Sequence, residues 1–153
     1  RSPGGTTVIY ALAAGGFDVV VNAEHLVSWN LSGAAVAAAA RVNLAAWAAD
    51  AEWSVEDAEG RRLVASATGS GWDAARILLP ETLAHLAATL GGRGPILVGL
   101  PERHLLVAGT ASADDAEFGE LFARFVADMA EGADEPIDGR VFELRDGELL
   151  ARG

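Results

Sequence analysis

The sequence predicts one mixed α+β domain, with a predominantly antiparallel sheet built from hairpins and about three packed helices. Apolar runs of strand length occur in pairs joined by short turns, which is typical of hairpins. Other segments place apolar residues at the helix period. Strands and helices do not alternate in the βαβ rhythm that a parallel sheet requires. Because 153 residues is the usual size of one domain, we expect residues 1–153 to form a single domain.

Two hairpins are predicted in the first part of the chain. Residues 8–14 and 17–22 are apolar runs around a Gly-Gly pair, and glycine readily adopts the positive φ that a tight turn needs. Residues 52–55 and 62–68 flank a polar turn in the same way. An Ala-rich helix is expected between the two hairpins.

Local start signals predict where the helices begin. Ser32 is expected to cap the Ala-rich helix, and Pro80 to occupy the first turn of the next one. Asp114 or Asp115 is expected to cap a third helix, and Asp73 a helical turn just before Pro80. The third helix has one apolar stripe, which we assign to the core: Phe118, Leu121, Phe122, Phe125, Val126 and Met129.

Two further pairs of strands complete the prediction. Residues 96–100 and 104–108 are almost wholly apolar around a Pro-Glu-Arg turn, so we expect neighbouring strands at the sheet centre, covered on both faces. Residues 141–144 and 148–150 surround an Asp-Gly pair, which is a strong hairpin signal. The chain is therefore predicted to end in a β-ribbon.

Composition argues against several classes of function. A formal charge of −11 repels phosphate backbones and anionic lipid headgroups, so we expect neither a nucleic acid nor a membrane as partner. Without cysteine there is no disulfide, thiolate metal site or cysteine nucleophile, and a cytoplasmic protein is expected. The longest weakly polar stretch, residues 26–40, is too short and too rich in Ala to span a bilayer.

Three motifs follow one another along the chain: Asn43-Leu44 in a predicted helix, GWDAARILLP at residues 71–80 and VGLPER at residues 98–103. In this order, and ahead of the Asp-Gly ribbon, they resemble the YtpQ-like family of bacterial proteins over roughly residues 29–150. The resemblance implies a shared fold. It implies no reaction, cofactor or partner, and the first 25 residues depart from the family pattern.

Residues 69–74, with the sequence GSGWDA, formally match the dinucleotide-binding pattern G-x-G-x-x-G/A. That motif requires close approach of the backbone to a pyrophosphate, which the bulky Trp72 would obstruct. Asp73 would also place an anion at the helix N-terminus, where the phosphate belongs. We interpret the segment as a glycine turn before a helical cap, and no cofactor is expected.

The histidines and serines offer no recognisable catalytic set. His25, His85 and His104 lie on different predicted elements, with no companion at metal-ligand spacing. Ser70 and the other serines lack the G-x-S-x-G context of a nucleophile. The sequence therefore predicts no metal site, and it leaves open whether the protein is an enzyme.

Five polar residues are candidates for binding a small anionic ligand: Asn43, Asp73, Arg76, Arg103 and His104. Arginine can hold a carboxylate or phosphate with a bidentate fork, and Arg103 and His104 are expected at the tip of the central hairpin, where function is often found. Structural roles are the interpretation we favour for these residues. Asp73 and Arg76 are three residues apart and could pair with each other, and Asn43 could link its helix to a loop.

Acidic residues are concentrated around the third helix. Residues 114–138 contain nine carboxylates and one arginine. Four of these carboxylates are candidates for binding a basic protein partner: Glu117, Glu120, Asp128 and Glu131. A charge run of this kind is more often only a solvated face. Of the two functional hypotheses, we favour a non-catalytic interaction module with an acidic helical surface. The alternative function is a binder or enzyme that acts on a small anionic ligand through Arg76 and Arg103.

Overall fold

The computed structural model describes residues 4–152, which form four α-helices, one 3-10 helix and eight β-strands. The strands are β1 (Ala11–Ala13), β2 (Asp18–Val20), β3 (Ser54–Ala58), β4 (Arg61–Ser66), β5 (Ile96–Glu102), β6 (Leu105–Thr110), β7 (Pro136–Arg145) and β8 (Glu148–Ala151). The helices are α1 (Ala23–Trp29), α2 (Gly33–Asp50), the 3-10 helix (Ala74–Leu78), α3 (Pro80–Leu90) and α4 (Phe118–Glu131). The predicted mixed α+β class is confirmed, and α1 is a helix beyond the three expected.

Six strands form one antiparallel sheet in the order β3-β4-β6-β5-β7-β8. The pairs β3–β4, β5–β6 and β7–β8 are hairpins, which are joined because β4 pairs with β6 and β5 with β7. β5 and β6 therefore lie at the sheet centre, as their apolar sequences predict. The turns of both outer hairpins, Glu59-Gly60 and Asp146-Gly147, have two residues with positive φ.

Helices cover the sheet on both faces. Side chains alternate along β5, so that Ile96 and Val98 join a core with α3 and the 3-10 helix, whereas Leu97 joins a second core with α4. The sheet thus separates α4 from α3 and the 3-10 helix. Any site built on α4 lies on the opposite face from one built on the 3-10 helix.

Two glycines in the central strands allow α4 to approach the sheet closely. A Cβ atom added at Gly99 would lie 2.4 Å from a Cγ atom of Val126, and one added at Gly109 would lie 2.9 Å from Cζ of Phe118. Both distances are far shorter than the separation of about 3.5–4.0 Å that carbon atoms prefer. The Val126 side of α4 is thereby fixed against the sheet.

The predicted helix start signals are largely confirmed. The Ser32 hydroxyl accepts a hydrogen bond from the backbone N–H of Ala35 at the start of α2. Pro80 is the first residue of α3. Neither acid proposed for α4 occupies the N-cap position, which is Glu117, but Asp115 Oδ1 accepts a hydrogen bond of 3.0 Å from the backbone N–H of Phe118, the first residue of the helix.

The prediction that the whole apolar stripe of α4 belongs to the core is wrong. Phe118, Phe122 and Val126 are buried, whereas Leu121 and Phe125 are 39% and 44% exposed. A helix that packs on a sheet buries only the arc that faces the sheet, and the apolar stripe is wider than this arc. Two large apolar side chains therefore lie next to the acidic face of α4.

No side chain is fully buried in residues 4–50. β1 and β2 form the predicted hairpin, with three residues in each strand. α1 and the 18-residue α2 follow, and neither contains a buried residue. Within residues 4–152, no single helix has the length and apolar character needed to cross a membrane; α1 and α2 meet that criterion only as a pair, which is bent by 94°.

Candidate functional site

A buried network joins two of the predicted ligand residues. Ser66 Oγ donates a hydrogen bond of 2.7 Å to Asp73 Oδ1 and accepts one of 2.8 Å from Arg76 Nη1. Asp73 also accepts hydrogen bonds from the backbone N–H and the hydroxyl of Thr68, at 2.9 and 3.0 Å. The expectation that Asp73 caps the helical turn is wrong, because its carboxylate makes no capping bond to the 3-10 helix. Asp73 and Arg76 interact through Ser66.

Arg76 closes the C-terminal end of α2. Its Nη2 donates to the carbonyl oxygens of Ala48 and Ala51 at 3.2 and 3.1 Å, and its Nη1 donates to that of Glu52 at 3.2 Å. Carbonyls at a helix end lack partners within the helix, and a cation there complements the helix dipole. The guanidinium carbon lies 3.8 Å from the ring centroid of Trp53. Since Arg76 is only 3% exposed, its hydrogen-bonding capacity is used mainly inside the fold.

Two pKa shifts accompany this burial. Burial lowers the pKa of the Arg76 guanidinium from its usual value, while the Asp73 carboxylate acts in the opposite direction. His85 stacks on Trp53 with 4.9 Å between the ring centroids. Its Nε2 is buried without a hydrogen-bond partner among residues 4–152. Burial, followed by the charge of Arg76, lowers the pKa of His85 below its usual 6.5.

We expect His85 to make the fold sensitive to mild acid. The His85 imidazole is protonated near pH 6.5 in the unfolded chain but only at lower pH in the folded chain. The stability that neutral His85 contributes to the fold is therefore complete above pH 6.5 and is lost as the pH falls toward the pKa of His85 in the folded chain. His85→Phe keeps an aromatic ring on Trp53 and cannot be protonated. Urea midpoints measured between about pH 7.5 and pH 5 should vary less with pH in this variant. An unchanged slope in His85→Phe would contradict the assignment.

Arg103 and His104 form the turn between β5 and β6. Arg103 donates hydrogen bonds of 3.1 Å to the Gly71 carbonyl oxygen and to Glu135 Oε1, and it also donates to the Asp18 carboxylate. The bond to Asp18 is the main reason why the pKa of Arg103 is raised. His104 Nε2 lies 3.3 Å from Glu135 Oε2. Because Asp18 belongs to β2, Arg103 ties the N-terminal hairpin to the sheet.

The five predicted ligand residues thus fall into separate groups. Asp73 and Arg76 share the buried network, and Arg103 and His104 share Glu135. Asn43 is exposed on α2, so it is not the buried bridge considered from sequence. Two cavities lie near these groups, and of the five residues Asn43 alone lines either of them.

The first cavity, which we name the hairpin cavity, has a volume of about 580 Å³. Residues 8–13 of the N-terminal hairpin segment form one wall, Ala37, Ala40 and Leu44 of α2 form the second, and Ala75 of the 3-10 helix belongs to the third. No local sequence pattern marks this cavity, because its walls come from three distant segments.

The second cavity, of about 740 Å³, lies at the C-terminal end of α2. Trp47 and Trp53 line it together with Asp50, Glu52 and the loop of residues 67–70. The guanidinium of Arg76 already lies over the rings of both tryptophans. The two tryptophan rings of this cavity are therefore already in contact with a buried side chain of the protein.

The four carboxylates proposed for partner binding are all exposed. Glu117 immediately precedes α4, and Glu120, Asp128 and Glu131 lie within it. Of these four, Glu117 alone has a cation within ion-pair distance among residues 4–152, with 3.6 Å between its Oε2 and Arg61 Nη2. We define the α4 surface as Glu117, Glu120, Leu121, Phe125, Asp128 and Glu131.

No group of three or more His, Asp or Glu side chains in residues 4–152 is arranged to hold a metal ion. No protein-family model, curated protein or solved structure matches the chain. The resemblance to the YtpQ-like family remains a prediction. Function must therefore be inferred from the side chains themselves.

Proposed function

We propose that this chain is a non-catalytic interaction module of the bacterial cytosol, and that its α4 surface binds a basic amphipathic segment of a partner protein. The observation that carries the proposal is the exposure of Leu121 and Phe125 among carboxylates. Single exposed apolar residues are ordinary on protein surfaces. An adjacent apolar pair with a charged surround is the arrangement expected of a binding surface, with an apolar centre and a polar rim.

Four members of the α4 surface form one row along the helix. Their separations of four, four and three residues place helical side chains on a common face. In order they are Glu117, Leu121, Phe125 and Asp128. At 1.5 Å per residue the row is about 16 Å long. A matching partner segment would carry Lys or Arg side chains about 16 Å apart, with apolar side chains between them.

The remaining carboxylates strengthen the negative field on one side of the row. Glu120 and Glu131 are eleven residues apart, close to three full helical turns, so they lie on one strip of the helix. Exposed charges of this kind mainly raise the association rate and select the partner. Buried apolar anchors supply most of the affinity. Leu121 and Phe125 should therefore matter more to affinity than any one carboxylate.

The alternative, an anionic ligand held by Arg76 and Arg103, has less support. The Arg76 guanidinium donates to three backbone carbonyls and to Ser66. That of Arg103 is bound to Asp18, Glu135 and the Gly71 carbonyl. A ligand would have to displace these contacts, which costs more than binding to a free arginine.

We expect a native lysate to yield a protein that binds the wild type and not the variant Leu121→Gln, Phe125→Gln. Loss of two anchors, each contributing about 2 kcal/mol, should weaken binding by about 1,000-fold if the two losses add, and by less to the extent that they are coupled. Both side chains are already partly exposed, so the fold should tolerate the change. The matched control is Val27→Gln, Val42→Gln, which alters two exposed valines of α1 and α2 and should still retain the protein.

Charge is tested by neutralising four carboxylates of the α4 surface. This variant should release the captured protein at lower salt than the wild type does, because the rim contributes a screened attraction. Its substitutions are Glu117→Gln, Glu120→Gln, Asp128→Asn and Glu131→Gln. A control that removes the same charge from other exposed sites combines Glu24→Gln, Glu56→Gln, Glu81→Gln and Glu148→Gln. Capture of the same proteins by wild type and every variant would show that α4 is not the binding surface.

A further inference from the structure

The hairpin cavity combines an apolar interior with a polar rim. Alanines contribute to all three of its walls, and because their side chains end at Cβ, a volume of about 580 Å³ is left between the elements. This lies within the range of about 300–1,000 Å³ that is usual for small-molecule sites. The lining residues with polar side-chain groups are Tyr10, Arg41 and Asn43, together with the indole N–H groups of Trp47 and Trp72.

The helix period of α2 separates its apolar and polar lining residues. Ala37, Ala40 and Leu44 are spaced by three and four residues, so they form one stripe toward the cavity. Arg41 and Asn43 are two residues apart, which places them about 200° apart around the helix axis. They therefore flank the stripe on opposite sides. Both are exposed, which locates them at the rim and not in the interior.

Arg41 has no carboxylate partner among residues 4–152, in a chain where most other arginines are already engaged. Arg76 is bound to backbone carbonyls. Six arginines lie within ion-pair distance of a carboxylate: Arg61, Arg62, Arg93, Arg103, Arg140 and Arg145. In a protein with a net charge of −11, an unpaired guanidinium at the rim of an apolar cavity is the group available to an incoming anion.

We propose that the hairpin cavity binds an anionic amphiphile, a molecule with a straight hydrocarbon chain and one carboxylate. The chain lies against Ala37, Ala40 and Ala75, where it replaces water in the apolar interior. The carboxylate remains at the rim and accepts hydrogen bonds from the Arg41 guanidinium. The site lies with the 3-10 helix, on the opposite face of the sheet from α4, so it is independent of the proposed partner surface.

The test uses octanoate as the probe and isothermal titration calorimetry as the measurement. Octanoate should bind the wild type at one site, and it should bind about tenfold more tightly than octan-1-ol, because one charge-assisted hydrogen bond is worth about 1.4 kcal/mol or more. Octan-1-ol binding as tightly as octanoate would overturn the role of the cation. Absence of saturable octanoate binding below about 1 mM would overturn the site itself.

Two variants locate the binding site, each with a matched control. Ala40→Leu fills the cavity and should weaken octanoate binding by at least about tenfold, since each added methylene occupies the space of the ligand. Ala39→Leu makes the same change at an exposed neighbour that does not line the cavity, and it should bind as the wild type does. Equal binding by Ala40→Leu and the wild type would show that octanoate binds elsewhere.

Arg41→Gln addresses the head group and leaves the cavity wall unchanged. It should reduce octanoate affinity about tenfold and leave octan-1-ol affinity unaltered. Arg124→Gln removes an exposed arginine of α4 that has no ion pair among residues 4–152, and it should change neither affinity. Because Arg41 is exposed, this variant should fold normally even if Ala40→Leu does not, and thermal unfolding of each protein checks this. An unchanged preference for octanoate over octan-1-ol in Arg41→Gln would overturn the proposal.

Discussion

Replacing Arg76 with methionine should lower the free energy of unfolding by about 3–4 kcal/mol. Methionine has a similar apolar stem but no hydrogen-bond donor, so the carbonyls of Ala48, Ala51 and Glu52 lose their charge-assisted hydrogen bonds. Each such bond is worth about 1.5–3 kcal/mol. Because the three bonds share one guanidinium, their loss costs less than the sum of the separate values. Water can hydrate part of this helix end once it loosens, which reduces the loss. Urea unfolding of the two proteins measures the difference.

Hydrogen exchange distinguishes the loss of the bonds between Arg76 and the end of α2 from a general loss of stability. Amides in the last turns of α2 should exchange faster in Arg76→Met under conditions where the central strands remain protected. Arg76→Lys should recover less than half of the lost stability, because one ammonium group cannot reproduce the forked contacts of the guanidinium. Arg145→Met is the control, since the exposed Arg145–Glu143 pair is screened by solvent and should contribute little to stability. A loss below about 1 kcal/mol in Arg76→Met would show that Arg76 does not anchor α2.

The fold is largely predictable from sequence because most of its signals are local. Ser32 caps α2 by accepting a hydrogen bond from the N–H of Ala35, which is only three residues away. The Asp146-Gly147 pair forms a two-residue turn. The error in α4 has a different origin. Periodicity identifies Leu121 and Phe125 as apolar helix positions, but the width of the buried arc is set by the sheet, which no helix pattern contains.

The candidate site is much less predictable, because its contacts join distant segments. Asp73 and Arg76 could be recognised as neighbours, but the Ala48 carbonyl that Arg76 binds is 28 residues away. Arg103 meets Asp18 across 85 residues. Two arginines that resemble ligand-binding groups in the sequence therefore hold the N-terminal segment in place. Arg41, whose sequence surroundings are merely Ala-rich, is left at the rim of a cavity.

Replacing Asp73 with alanine should lower the free energy of unfolding by about 2–4 kcal/mol. The carboxylate is fully buried and accepts hydrogen bonds from the Ser66 hydroxyl and from the backbone N–H and hydroxyl of Thr68. Alanine leaves these donors without their acceptor, and it also removes the negative charge that favours the charged form of the buried Arg76. Asp73→Asn should lose less, because its amide oxygen can still accept two of the three bonds.

A double-mutant cycle shows whether Asp73 and Arg76 act as one unit. The Ser66 hydroxyl is shared between them, so the combined loss in Asp73→Ala, Arg76→Met should be smaller than the sum of the single losses by about 1 kcal/mol or more. Urea unfolding of the four proteins supplies the cycle. Strict additivity would mean that Asp73 only orders the loop around Thr68, and that Arg76 binds the end of α2 without its help.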